Sequence, residues 1–217
     1  MSHSSTATKI IAITQRIDRI EERNELRDAI DQRLLLWVTL AGFIPVAVPN
    51  TLTTSTSTSA HDMTLWKWLD RIRPDGFILS GGNDIGDFAS RDETESSLLS
   101  WAEEKQLPVL GICRGLQMMN SWAGGDLVGV DGHSGTRHII ETNLKGEISQ
   151  IEVNSYHKWA LATCPAGFDV IAKALDGTIE ALRNKTKNWE GWMWHPERET
   201  NFDNSDIKNL QRIFNGN

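Results

Sequence analysis

The sequence predicts an α/β fold, a three-layer sandwich around a mainly parallel sheet with a small antiparallel portion in its second half. Three observations lead there. Short runs rich in Val, Ile and Leu alternate with helical patterns through the first half, as parallel strands joined by helical crossovers require. Two of these runs end in glycine turns, "LSGGND" at 79–84 and "GICRG" at 111–115. Beyond residue 130 the runs shorten and turn residues separate them, which favours hairpins.

Taken in order, "KIIAIT" (9–14) reads as the first strand, "ELRDAIDQRLLLWVTLAG" (25–42) as a helix ending at Gly42, and "FIPVAVP" (43–49) as a second strand. "TLTTSTSTSA" (51–60) is a polar, low-complexity connection and reads as an exposed loop. A helix follows at 63–72, a strand at 76–80, a helix at 95–106 and a fourth strand at 108–112. "GLQMMNSWAGG" (115–125) opens another helix, closed by Gly124 and Gly125. "TRHIIETN", "EISQIEVN", "DVIAKAL", "TIEALRN" and "WEGWMWH" are strand-like, and "SDIKNLQRIF" (205–214) makes a final helix. Residues 1–8 are expected to be a disordered tail and 9–217 a single domain.

Composition narrows the function. The 217 residues are 39% apolar, ordinary for a soluble globular protein and enough for one sizeable core. A net charge of -7 with mixed signs argues against a nucleic-acid partner, which needs a basic stripe, and against docking on acidic membranes. A small anionic substrate fits, because local arginines can outweigh the mean charge. Two cysteines, Cys113 and Cys164, make no disulfide framework, so a cytoplasmic location is expected. The start, "MSHSSTATK", has no apolar signal core. Nine tryptophans read mainly as core or pocket lining.

Strand, G-x-C-x-G, helix is the cysteine counterpart of the nucleophile elbow. It lifts Cys113 above the carboxyl edge of the sheet and sets the sulfur at a helix N-terminus, which favours thiolate. A buried structural cysteine in a tight turn is the alternative, and the motif alone does not choose. "WMWHPERE" (192–199) supplies a base. His195 and Glu197 are two apart in an extended segment, so the carboxylate can hold one imidazole nitrogen and leave the other for Cys113. The amides of the "LSGGND" turn could complete an oxyanion hole.

"LSGGND", "GICRGLQ" and "HPE", in that order and spacing, resemble the class I glutamine amidotransferase superfamily over roughly 9–200. The resemblance implies that family's flavodoxin-like fold and a Cys113, His195, Glu197 triad. It also implies oxyanion donors at the Gly82 and Arg114 amides, and Gln117 against a glutamyl substrate. "VNSYHKWAL" looks like the segment that holds the glutamate head group, through Asn154, Ser155, Tyr156 and His157. "NSYHK", "GTIEAL" and a single expected domain are similar to the free-standing gamma-glutamyl hydrolases. Within that branch, "IAITQR" and "MWHPERE" look most like the gamma-glutamyl-CDP-amidate hydrolases of capsule phosphoramidate synthesis. The implied reaction is hydrolysis of a gamma-glutamyl amide through a cysteine thioester, with no cofactor and a monomer or homodimer as the working unit. A gamma-glutamyl-gamma-aminobutyrate-type hydrolase and a glutaminase subunit feeding a separate synthetase are rival readings, as is a non-catalytic binding module that keeps the fold, against which the intact Cys, His and Glu set weighs.

Other residues stay open. Arg16, at the end of the first strand, is either a contact for a carboxylate or phosphate of the leaving group or a plain surface arginine. Glu180 either buttresses the site or faces solvent. His133 and His138, five apart with no nearby second cysteine, make a poor ligand pair, and no metal is expected. Cys164 reads as structural. Trp192 and Trp194 read as core.

Overall fold

In the computed structural model, which describes residues 7–53, 62–143 and 148–216, the chain is built on one nine-stranded sheet. Its parallel half contains Ile10–Ile13 (β1), Ile44–Ala47 (β4), Gly76–Leu79 (β5), Val109–Ile112 (β6) and Trp189–Trp192 (β13). These lie in the order β4-β1-β5-β6-β13, every neighbouring pair parallel. Strands β5, β6 and β13 are buried at every position, as strands covered on both faces must be. The sheet then continues antiparallel through Ile179–Asn184 (β12), Phe168–Ala174 (β11), Ser134–Thr142 (β8) and Ser149–Tyr156 (β9). The antiparallel portion is therefore an extension of the main sheet.

Crossover handedness orders the layers. From β1 the chain steps outward to β4 through Gln32–Leu40 (α1), then back to β5 through Asp62–Ile72 (α2) and on to β6 through Ala89–Lys105 (α3). Right-handed connections put α1 on one face and α2 and α3 on the other. Arg114–Trp122 (α4) packs on α3, and Asn204–Asn215 (α5) on α1, which completes the three layers. Tryptophans knit the core: Trp37 meets Trp192 edge-on, and Trp192 stacks on Trp194, all three buried.

Two segments differ from the sequence reading. Residues 25–29 are not helical: Glu25–Ala29 (β3) pairs antiparallel with Arg16–Ile20 (β2) in a hairpin outside the main sheet. The turn uses Asn24 at φ 47°, a left-handed conformation that asparagine tolerates. Arg16 accordingly opens this hairpin. The helix expected at 95–106 begins at Ala89, six residues earlier. Two short strands not anticipated, Leu127–Gly129 (β7) and Trp159–Leu161 (β10), form a separate pair. Residues 1–6 of the expected 1–8 tail and 54–60 of the expected 51–60 loop lie outside the described residues. No helix among the described residues is long and apolar enough to cross a membrane.

Candidate active site

Because β1, β5, β6 and β13 are parallel, their carboxyl ends share one edge, and the chain leaves each of them carrying a residue of interest. Cys113 follows β6 at φ 51° and ψ -105°, a sparsely populated conformation for a non-glycine residue. The strain sits on the cysteine itself. Gly115 makes the turn possible, since a Cβ there would stand 2.1 Å from the Leu79 carbonyl oxygen of β5. The Cys113 amide donates to the Trp192 carbonyl at 2.7 Å, tying the elbow to the strand that leads to His195.

His195 Nδ1 lies 2.6 Å from Glu197 Oε1, and the ring is near enough to Cys113 to interact with it electrostatically. Both His195 and Glu197 are buried. Burial, the largest single influence, favours the neutral ring, but the Glu197 carboxylate and Cys113 together outweigh it and hold the imidazole up at about 9 against an ordinary 6.5. The ring is therefore charged at neutral pH, able to give a proton from the side facing Cys113. Gly81 packs against it so closely that a Cβ would fall 2.5 Å from His195 Cε1.

Gly82 lies between two clefts. One, of about 200 Å³, is lined by Gly82, Cys113, Arg114, Gln117, Tyr156 and His157, among others. The other, of about 300 Å³, holds Arg16, Asp18, Gly81, Gly82 and Arg198 in its wall. Arg16 is half-exposed and paired with Asp18 at 2.7 Å. The Arg114 amide belongs to the first turn of α4, where N–H groups have no intrahelical acceptor. Gln117 Nε2 donates to the Trp159 carbonyl at 3.0 Å.

The 154–157 segment divides. Tyr156 and His157 line the first cleft. Asn154, 3% exposed, instead grips the His195 backbone, accepting from its N–H at 2.9 Å and donating to its carbonyl at 2.8 Å. Ser155 is fully buried and its hydroxyl donates to the His133 carbonyl. Glu180 is fully buried too, so it does not face solvent. Trp192 and Trp194 are core, while Cys164 is half-buried and lines neither cleft.

Two positioning residues escaped the sequence reading. Arg91 on α3 is fully buried and donates to the Ser80 carbonyl at 2.7 Å and the Gly81 carbonyl at 3.0 Å, fixing the glycine turn from beneath. Its charge is met by Glu95, which also pairs with the Arg114 guanidinium. Arg33, at the start of α1, donates to the Glu197 carbonyl at 3.1 Å and to the Glu199 carbonyl. No spacing rule links either residue to the motifs it supports.

Several known proteins are similar to this chain. The profile of the peptidase C26 family matches residues 9–197. A gamma-glutamyl-CDP-amidate hydrolase of Campylobacter jejuni is 34% identical over 136 residues, covering 60% of this chain and 66% of that protein. A glutamine-hydrolyzing GMP synthase subunit of Methanocaldococcus jannaschii is 27% identical, over 64% of this chain and 73% of its own. Among solved structures, a GMP synthase subunit from Thermoplasma acidophilum superposes with a TM-score of 0.72 at 21% identity, covering 97% of this chain and 96% of that one. A Thermotoga maritima glutamine amidotransferase superposes with a TM-score of 0.61 at 13% identity, over 97% and 84% of the two chains. At those identities the structures speak for the fold alone.

Proposed function

Because the chain belongs to the peptidase C26 family, which is class I glutamine amidotransferase-like, we propose that it hydrolyses gamma-glutamyl amides with Cys113 as nucleophile. One observation carries the reading: a strained cysteine above the sheet edge interacts electrostatically with a charged, buried imidazole whose Nδ1 is held by Glu197 at 2.6 Å. The sulfur attacks the gamma carbonyl carbon, and the oxygen takes up the electron pair between the Gly82 and Arg114 amides. His195 gives its proton to the leaving nitrogen as the C–N bond breaks, leaving a gamma-glutamyl thioester. Water then attacks the thioester, its proton passing to His195, and glutamate departs as the sulfur is regenerated. Gln117, Tyr156 and His157, lining the smaller cleft, would hold the glutamyl half.

The larger cleft, with Arg16 and Arg198 in its wall, would take the leaving group. Two guanidinium groups suit a phosphate-bearing amine, and the C. jejuni relative is named for a nucleotide-linked amide. We therefore favour gamma-glutamyl-CDP-amidate as substrate. The M. jannaschii relative favours a second reading, a glutaminase subunit passing ammonia to a separate synthetase. A panel of gamma-glutamyl amides, with glutamine and a CDP-linked amide among them, tests the proposal. The isolated chain should cleave the CDP-linked amide faster than glutamine, and Cys113→Ser should abolish both. Glutamine as the preferred substrate, or a synthetase that co-purifies and raises glutamine turnover, would favour the second reading.

A further inference from the structure

Folding brings together a group of buried side chains of which only His157 borders the cleft proposed for the glutamyl half, and which takes no part in the proposed bond-breaking steps. His133 Nδ1, His157 Nε2 and Glu180 Oε1 face one another across 3.3, 3.3 and 3.4 Å. All three residues are buried, and Glu180 is 0% exposed. Both Glu180 oxygens are without an aligned hydrogen bond among the described residues, although three histidines approach. His138 contributes its Nε2 at 3.5 Å from the same Glu180 oxygen.

The outward nitrogens of the first two rings are already committed. His133 Nε2 lies 2.9 Å from Asp176 Oδ2, and His157 Nδ1 lies 3.1 Å from the Trp159 carbonyl. Each of those acceptors takes an N–H, so in neutral rings the two inward nitrogens present lone pairs. Two lone pairs and a carboxylate oxygen at these separations repel unless a proton or a metal cation lies between them.

We propose that His133, His157 and Glu180 bind a divalent transition ion of the zinc class. The dimensions agree: ligands ~2.05 Å from a tetrahedral zinc stand ~3.3–3.4 Å from one another. Two imidazoles and a carboxylate form an accepted ligand set for such an ion, with a fourth position left over. The outer partners also agree, because histidines that ligate metals donate their other N–H to a carboxylate or a backbone carbonyl. In the sequence His133 and His138 make a poor ligand pair and no metal is expected; the fold instead sets His133 against residues 24 and 47 positions away. The ion joins the start of β8, the end of β9 and β12 at the edge of the sheet where the clefts lie. It fixes His157 beside the smaller cleft, and through the Trp159 carbonyl it reaches Gln117, which donates to the same oxygen.

The test reads metal content, not hydrolysis, so it stands or falls apart from the proposed reaction. Cys113 and His195 could themselves capture zinc, so the Cys113→Ser chain is used throughout. After stripping with a chelator it is dialysed against zinc, desalted and analysed by atomic emission. One zinc per chain is expected, and cobalt in its place should give the intense visible bands of a tetrahedral site. Glu180→Gln should lose the ion. Asp176→Ala changes only a half-exposed outer partner and guards against a Glu180 variant that fails to fold; it should weaken zinc binding about 10- to 100-fold. No retained metal in the folded Cys113→Ser chain would overturn the proposal and leave the cluster held by protons. Unaltered zinc affinity in Asp176→Ala together with undiminished retention in a folded Glu180→Gln would overturn it as well.

Discussion

Replacing Glu197 by glutamine separates charge from geometry at His195. Glu197 Oε1 lies 2.6 Å from Nδ1, while Oε2 is buried with no hydrogen-bond partner among the described residues. The glutamine amide nitrogen can occupy the Oε2 position, so the carbonyl oxygen keeps its contact with the ring N–H and the imidazole keeps its orientation. The negative charge goes. Burial is then opposed by Cys113 alone, and the imidazole pKa should fall from about 9. A rise from 6.5 to about 9 is worth on the order of 3 kcal/mol in favour of the charged ring. The sign for stability follows from the direction. A group whose pKa is raised by folding stabilises the folded chain fully below its unfolded value, here 6.5, and loses that contribution as pH climbs through about 9. Wild type should therefore lose stability across that window, and Glu197→Gln should lack the slope. Activity should fall at neutral pH, mainly in kcat, by up to ~10⁴-fold, because the ring no longer holds the proton the leaving nitrogen needs. The assay is ring-carbon NMR of the six histidines, with His195 assigned by its loss in His195→Asn. An unchanged His195 midpoint in Glu197→Gln would refute the electrostatic account.

Four further outcomes are expected. Gly81→Ala should cut kcat while the chain still folds, because the added methyl falls 2.5 Å from His195 Cε1; a crystal structure with the ring undisplaced would contradict this. Asn154→Leu breaks both grips on the His195 backbone and should cost about 1–3 kcal/mol of stability in urea unfolding, with kcat reduced more than KM is raised. A KM effect alone would return Asn154 to substrate binding. Arg16→Ala should raise KM for a phosphate-bearing leaving group, as added salt should in wild type, and leave glutamine turnover unaffected; equal effects on both substrates would make Arg16 a fold residue. Cys164→Ser should leave activity intact, since Cys164 lines neither cleft, and a large loss would show that the second thiol matters.

The motifs that carry the elbow, the glycine turn and the His-Pro-Glu segment were readable because each is local. A turn needs its glycine within a few residues, and an imidazole and its carboxylate two apart need only an extended chain. What was not readable depends on distant partners. Residues 25–29, "ELRDA", contain good helix formers, and only their pairing with β2 makes them a strand. Helix α3 was expected to start late because its first turns bury Arg91, Thr94 and Glu95 in place of apolar side chains. No hydrophobic period marks a face buried through ion pairs. Asn154 follows the same rule: its place in the strand was legible, but its partner is 41 residues away.

Strand β13, with the His-Pro-Glu segment just beyond it, comes last in chain order among the strands, yet it lies in the middle of the sheet between β6 and β12. Folding therefore cannot proceed from one end of the chain to the other. Until residues 189–192 have joined, the parallel and antiparallel halves each present an unpaired inner edge, the kind of surface that recruits other chains. Refolding should be slow and prone to aggregation in proportion to protein concentration, and a chain shortened before Trp189 should behave as two sticky half-sheets. The same arrangement has a protective side on the ribosome. Cys113 emerges long before the base that would activate it, so a nascent chain carries the thiol but not the assembled reactive centre.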